Sequence, residues 1–408
     1  MNGTIKLVAP LVAALAIAAC NAGGSSSMPG TTGATGQAPA ASHGMIPDWQ
    51  AQHLATPVCA DARPGRANCL ALMQSREGLR PNVAGIAPID LQTRYALPIT
   101  KGSGQIVAIV DAYDNPNIAS DLAAYRSNFG LGTATFKKYN QLGQQSNYPQ
   151  GSTGWGVEED LDVDMVSAGC PKCTIYLIEA NTNQTSDLQT AEAEAVTLGA
   201  HIISNSWICY GSSCGTSESS FNTPGVVYLA ASGDAGYNQN GPPEWFGSVV
   251  SVGGTVLSKT GSTYKEVVWN GAGGGCSSNG GGSGQTKPTW QKDPKCTYRT
   301  DSDVSANAWN AAEYDSYGEP GWITVGGTSA ASPLNAAVFG LAGNASSRTA
   351  AKQFWTLTAK KLKHALNYIS TGNDGSCGSS YLCTAGTHQY KTYSGPGGWG
   401  TPHGIGAY

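Results

Sequence analysis

Three stretches of this 408-residue chain carry side chains whose types and spacing could do chemistry. The first is Gly326-Gly327-Thr328-Ser329-Ala330-Ala331-Ser332-Pro333. Two glycines permit a tight turn and a close approach of backbone to ligand. The apolar run Leu334 to Ala342 then reads as a buried helix. Ser329 is therefore expected where a turn feeds a helix N-terminus, with an exposed hydroxyl and unpaired backbone N–H groups nearby. That setting suits a nucleophile. It also suits a plain Thr/Ser cap on a core helix.

A nucleophilic serine needs a base. The six histidines are His43, His53, His201, His364, His388 and His403, and none stands in a setting that marks it as one. His201 opens a buried-looking strand and reads as structural. The second stretch, Glu158-Glu159-Asp160-Leu161-Asp162-Val163-Asp164, offers carboxylates instead. On a helix, residues four apart share a face, so Glu158 stacks on Asp162. Two adjacent carboxyls resist joint ionisation, share a proton and titrate as a pair. A carboxylate works as a base near its own pKa, which places this chemistry at acid pH. The plain reading is a solvated acidic helix start favoured by the helix dipole. The third stretch is Ser232-Gly233-Asp234-Ala235-Gly236. Asp234 suits a turn. Kept protonated, it could also donate to a developing oxyanion.

Taken in order, Glu-x-x-x-Asp, then S-G-D, then G-T-S-A-x-x-P resembles the sedolisin (serine-carboxyl peptidase) family, with its subtilisin-like fold. The likeness runs from residue 85 to 408 and includes Val107 to Asp114 and Ser204-Asn205-Ser206-Trp207. The resemblance implies Ser329 as nucleophile, Glu158 as general base, Asp162 as the group orienting Glu158, and Asp234 as the oxyanion-hole donor. Leu161-Asp162 matches the family's Leu-Asp and selects Glu158 over Glu159. A slip of register would promote Asp160 and Asp164. Asp111 resembles a further acidic position behind the pair. The implied activity is endopeptidase cleavage of proteins or peptides at acid pH, without a catalytic cofactor. The rival is a sedolisin-like surface protein that binds without catalysis.

Two departures from the family stand out. Its structural calcium site near the C-terminus uses aspartates where this chain has Tyr368 (or Asn367) and Ser394, with Asp374 the one nearby substitute. Calcium prefers several oxygens with carboxylate charge, so weak binding or none is expected. The family also commonly carries a long folded prodomain. Here residues 46–84 are expected to be only a short segment before the peptidase domain.

The elements that must hold these residues read as strands alternating with helices. Gln105 to Val110 is a continuous apolar strand buried on both faces. Ile118 to Phe129 and Glu158 to Ala168 read as helices, Thr174 to Ile178 as a strand, and Asp187 to Leu198 as a helix. His201 to Ser204, Gly225 to Ala231 and Ser248 to Val252 read as strands. The pattern implies an α/β fold, a mainly parallel sheet with helices on both faces, in a single catalytic domain spanning 85–408. Ligands in such sheets bind at the carboxyl ends of the strands, where Asp111, Trp207 and Asp234 fall.

Composition sets the compartment. Charged residues are 12%, and the formal net charge is −4, which gives no footprint for nucleic acid. Residues 1–19 read as a signal peptide, with Lys6 before an apolar run too short to remain as a membrane span. The run ends Leu15-Ala16-Ile17-Ala18-Ala19-Cys20, which resembles a bacterial lipobox. A lipid on Cys20, a flexible tether over 20–45 and an envelope location or secretion are expected, with a monomeric protein. Without Cys20, ten of the 11 cysteines remain, in five close pairs: Cys59/Cys69, Cys170/Cys173, Cys209/Cys214, Cys276/Cys296 and Cys377/Cys383. Disulfides in an oxidising compartment are expected.

Overall fold

The computed structural model describes residues 1, 54–59, 63, 65–78, 85–210, 214–238, 240–277 and 285–408. The chain divides into two units, Met1–Ser42 and His43–Tyr408, and the fold described belongs to the second. The expected signal peptide and tether, Met1 apart, fall outside the described residues.

The elements follow in chain order. Strands β1 (Thr56–Pro57), β2 (Asn68–Cys69) and β3 (Leu72–Gly78) precede helix α1 (Pro88–Arg94) and strand β4 (Ile106–Ala112). Then come α2 (Ile118–Asn128), β5 (Thr135–Asn140), α3 (Thr153–Gly169), β6 (Thr174–Ala180), α4 (Thr185–Thr197) and β7 (Ile202–Asn205). Next are β8 (Trp207–Ile208), β9 (Val227–Ala231), β10 (Val249–Thr260), β11 (Thr263–Val268), β12 (Gly275–Cys276) and β13 (Thr300–Asp301). The last part holds β14 (Val304–Asn307), β15 (Ala311–Asp315), β16 (Gly321–Gly326), α5 (Thr328–Ala342) and two short helices, Ala351–Thr356 and Ala359–Ala365.

The main sheet has the order β11-β10-β9-β7-β4-β6-β5, with β14 also beside β10. Every pair in it is parallel except β10 with β11. Alternate residues of a strand face opposite sides. Val107 and Ile109 of β4 pack in one core with Leu161 of α3 and Leu334 and Phe339 of α5. Ala108 and Val110 pack in another with Leu188, Ala191 and Ala195 of α4. A sheet covered on both faces explains why its strands read as unbroken apolar runs. The sheet grows outward from β4 in both directions, so the switch point lies at β4, where Asp111 sits.

A second, four-stranded sheet has the order β1-β3-β16-β15, all antiparallel. Its strand β16 leads directly into α5. Residues 46–84 carry few periodic signals, yet β3 lies in the middle of this sheet, and β2 pairs with β8. Strand pairing across such sequence separations leaves no local trace.

Two helices differ in extent from expectation. Helix α3 starts at Thr153, where Ser152 Oγ accepts the Trp155 N–H at 3.4 Å as an N-cap. Helix α5 starts at Thr328 and contains Pro333. Gly169 lets α3 and α5 approach: a Cβ there would meet Ala337 Cβ at 2.7 Å. All five close cysteine pairs are disulfides. Among the described residues, no helix is long and apolar enough to cross a membrane.

Phe339 is fully buried, edge-on to both Phe354 and Tyr408. Phe339→Ala leaves a cavity beneath α5, and a loss of about 3–5 kcal/mol is expected by denaturant unfolding.

Candidate active site

Helices α3 and α5 and the ends of β7 and β9 bring the three chemical stretches together. Gly327 caps α5 with φ 111°, a conformation open to glycine, and a Cβ there would strike the Leu70 carbonyl oxygen. Pro333 lacks the N–H that would bond the carbonyl of Ser329 inside the helix. Ser206 Oγ lies 3.3 Å from that carbonyl and 2.8 Å from Asp162 Oδ1, within donating distance of both. The Ser329 hydroxyl lies 3.4 Å from the Ser206 carbonyl and on the side of the Glu158 carboxyl, close enough to oppose its rise in pKa. Ser206 thus ties the two helices at the point where their reactive side chains meet.

Glu158 and Asp162 lie on the face of α3 turned to Ser329. Glu158 Oε2 accepts the N–H groups of Leu70 (2.8 Å) and Ala71 (2.7 Å). Its Oε1 and Asp162 Oδ2 are buried without a donor. Burial, then the charge of Asp111, push the Glu158 carboxyl well above the usual range, opposed by the bonds from Ser329 and Leu70. Burial, Asp111 and Glu158 push Asp162 up as well. Asp111 itself is fully buried at the end of β4, and burial raises it to about 8. One proton shared by Glu158 and Asp162 relieves their repulsion.

The neighbouring carboxyls point elsewhere. Glu159 faces Glu179, Lys138 and Asp114. Asp160 takes a bond from Asn115 Nδ2 at 2.7 Å and lies with Asp121 and Asp315 in a group whose oxygens are within 4.8 Å of one another. Asp164 accepts the Tyr314 N–H at 3.3 Å. The register that faces Ser329 is therefore Glu158/Asp162, and not Asp160/Asp164.

Asp234 follows β9. Its Oδ1 accepts the Thr328 N–H at 2.8 Å and Thr328 Oγ1 at 2.7 Å, while Oδ2 has no partner. Burial raises it to about 7, against the lowering effect of the Thr328 bonds. Below that pH it is a neutral acid able to donate from the free oxygen. Thr328 and Ser206 were not singled out from sequence as site residues; both flank residues that were.

Three expectations are corrected. Ser329 is not exposed: its exposure is 0%, because residues 68–72 pass over it. The acidic start of α3 is not solvated, since Glu158, Glu159, Asp160, Asp162 and Asp164 are all fully buried. His201, in contrast, is exposed, with Nδ1 2.9 Å from the Gly225 carbonyl.

The calcium cage implied by the sedolisin resemblance has poorly suited residues here. Tyr368 packs its ring against His388, and Asn367 Oδ1 accepts from the Arg94 guanidinium at 3.3 Å. Ser394 is buried with its N–H on Gly398. Asp374 is the one carboxyl in this loop, and burial pushes it well above its usual range. One carboxyl, with the Arg94 cation beside Asn367, is a poor match to the several charged oxygens that calcium prefers.

The sheet order and the crossing of α3 and α5 beneath it define a subtilisin-like α/β fold. The comparisons agree. The structure of Pseudomonas sedolisin, a serine-carboxyl proteinase complexed with two molecules of pseudo-iodotyrostatin, is similar with a TM-score of 0.63 and 24% identity, over 79% of this chain and 96% of that one. Kumamolisin of Bacillus sp. (strain MN-32) is 29% identical over 290 residues, which is 62% of this chain and 51% of kumamolisin. The chain thus spans about half the length of that curated relative. No protein-family model matches the chain. The kumamolisin likeness supports the sedolisin-family resemblance, and the structural likeness supports its subtilisin-like fold.

The raised carboxyls also set a pH dependence. Asp234 and Asp315 are raised to about 7, and Asp111 and Asp301 to about 8. The folded state holds these protons more tightly than the unfolded chain, where carboxyls titrate near 4. Their contribution is complete below the unfolded pKa and is lost as pH rises through about 7 to 8. Thermal unfolding followed by circular dichroism should give a higher midpoint at pH 4 than at pH 8.5.

Proposed function

We propose that this chain is a serine-type endopeptidase that hydrolyses peptide bonds of proteins at acid pH. The observation that carries this reading is Ser329 set beside the buried Glu158/Asp162 pair, joined to it through Ser206, whose hydroxyl lies 3.3 Å from the Ser329 carbonyl and 2.8 Å from Asp162. Among the described residues, the Ser329 hydroxyl has no histidine partner.

The surroundings of each residue support the role it has in this reading. Ser329 Oγ attacks a peptide carbonyl as Glu158 accepts its proton. Asp162, held by Ser206, keeps the Glu158 carboxyl in place and shares the second proton of the pair. The developing oxyanion takes a hydrogen bond from protonated Asp234, and a second from the Ser329 backbone N–H. Glu158 then protonates the leaving amine, and water repeats the sequence on the acyl ester. The pair must carry a single negative charge to act, which a buried dyad meets at acid pH. No cofactor is needed for this sequence, and we include the absence of a bound structural calcium in the proposal. From sequence, export through residues 1–19 and a lipid on Cys20 complete the reading.

Cleavage of unfolded casein from pH 2 to 8 tests the chemistry. Activity confined to acid pH and lost in Ser329→Ala and Glu158→Gln is expected. Asp234→Asn should lower kcat about 10²- to 10³-fold, the effect of losing one oxyanion donor. A rate that peaks near neutrality would mean another base. A folded protein inactive at every pH would favour the non-catalytic binding reading. Chelation with EDTA should leave the unfolding midpoint unchanged, and bound calcium lost together with stability would overturn that part.

A further inference from the structure

A cavity of about 500 Å³ opens between the short helix Ala359–Ala365 and the segment that carries Lys391 and Trp399. None of Ser329, Glu158, Asp162 and Asp234 lines it. Its size falls within the roughly 300–1,000 Å³ of sites that hold small organic molecules. Its walls are mostly apolar, formed by Leu357, Leu362, Leu366, Tyr368 and Trp399. The local sequence explains how. Leu362 stands four residues before Leu366, while Lys360, Lys361 and Lys363 of the same helix are exposed. Leu357 and Leu362 stay half-buried, so the cavity keeps apolar surface that the fold leaves partly open.

The charges of the lining have one sign. Lys363 and Lys391 border the cavity, and no acidic side chain lines it. Neither lysine has an ion-pair partner among the described residues. The chain as a whole has a formal net charge of −4, so this corner reverses the sign of the rest. Lys391 Nζ lies 5.4 Å from the ring centre of Tyr390 and 5.7 Å from that of Trp399. Attraction to the ring faces holds the ammonium beside the indole. Trp399 is 2% exposed, and its Nε1 is buried without an acceptor. A buried N–H left unpaired is costly. An ammonium and an unsatisfied indole N–H thus border one apolar cavity, and the two oxygens of a carboxylate can accept from both.

We propose that this cavity binds a single-chain carboxylate amphiphile, a free fatty-acid anion. Its alkyl chain lies against Leu357, Leu362, Leu366 and Tyr368, and its head accepts from Lys391 Nζ and Trp399 Nε1, with Lys363 adding positive charge. The lining selects this ligand by chemistry. A small inorganic anion gains nothing from the apolar walls. A cationic amphiphile meets two lysines and no carboxylate. No residue lining the cavity belongs to the catalytic set, so the proposal stands apart from the peptidase reading.

The test is isothermal titration calorimetry of the full chain at pH 6.5 with sodium laurate below its micellar concentration. Saturable binding of one laurate per chain is expected. Decanoate and octanoate should bind progressively more weakly, by about fourfold for each CH₂ removed. Lys391→Glu should weaken laurate binding at least about tenfold, the effect of losing a charge-assisted hydrogen bond. Lys363→Glu, on the exposed side of a surface helix, should weaken it in the same direction and serves if Lys391→Glu misfolds. Leu362→Glu should abolish it, with the circular dichroism spectrum retained in each variant. Absence of saturable binding overturns the proposal. So does laurate binding unchanged in all three folded variants, which would place the ligand elsewhere, and so does equal binding of dodecyltrimethylammonium. Retention on phosphatidylglycerol vesicles without uptake of laurate would assign the lysines to a membrane surface and overturn it as well.

Discussion

The structure depends on one constraint: helix α3 is buried along nearly its whole length while carrying Glu158, Glu159, Asp160, Asp162 and Asp164. Ionised carboxylates are costly to bury without partners. Few cations are nearby. Lys138 pairs with Asp114 and Glu179, and Arg126 spends its donors on Ser167 and backbone carbonyls. Protons must do much of the neutralising. That requirement links stability to chemistry, since a helix that folds best with its carboxyls protonated also presents an acid–base pair suited to low pH.

Helix α5 supplies the complementary part. Gly327 turns the chain with a positive φ, Thr328 fixes Asp234, and Ser329 follows at the helix start. Pro333 leaves the Ser329 carbonyl free to accept from Ser206, which also bonds Asp162. A small irregularity inside one helix thereby fixes the distance to the other. Gly169, at the far end of α3, lets the two helices pack closely, since a Cβ there would strike Ala337 and Leu334.

The edges of β8 and β16 give the site its direction. Unpaired strand edges bind extended peptide by main-chain hydrogen bonds. Here both edges are occupied by the chain itself, and the backbone passes between them over Ser329. The same contacts that bury the nucleophile also show how an extended chain lies in the cleft.

Local sequence determined a good deal. The alternation of apolar strands and helices, the Glu158–Asp162 spacing, the glycine turn before Ser329 and the close cysteine pairs were all legible, because each depends on residues near in sequence. Boundaries were less so: α5 begins at Thr328 and not at Leu334, since packing tolerates Pro333 inside it. Only tertiary structure decided which carboxyls face Ser329, because α3 is acidic on several faces and neighbours such as Glu179 and Asp315 claim the others. It alone decided that Ser329 is covered. Residues 68–78 carry few periodic signals, and their partners on β8 and β16 lie more than a hundred residues away, on strands whose position is set by the whole sheet.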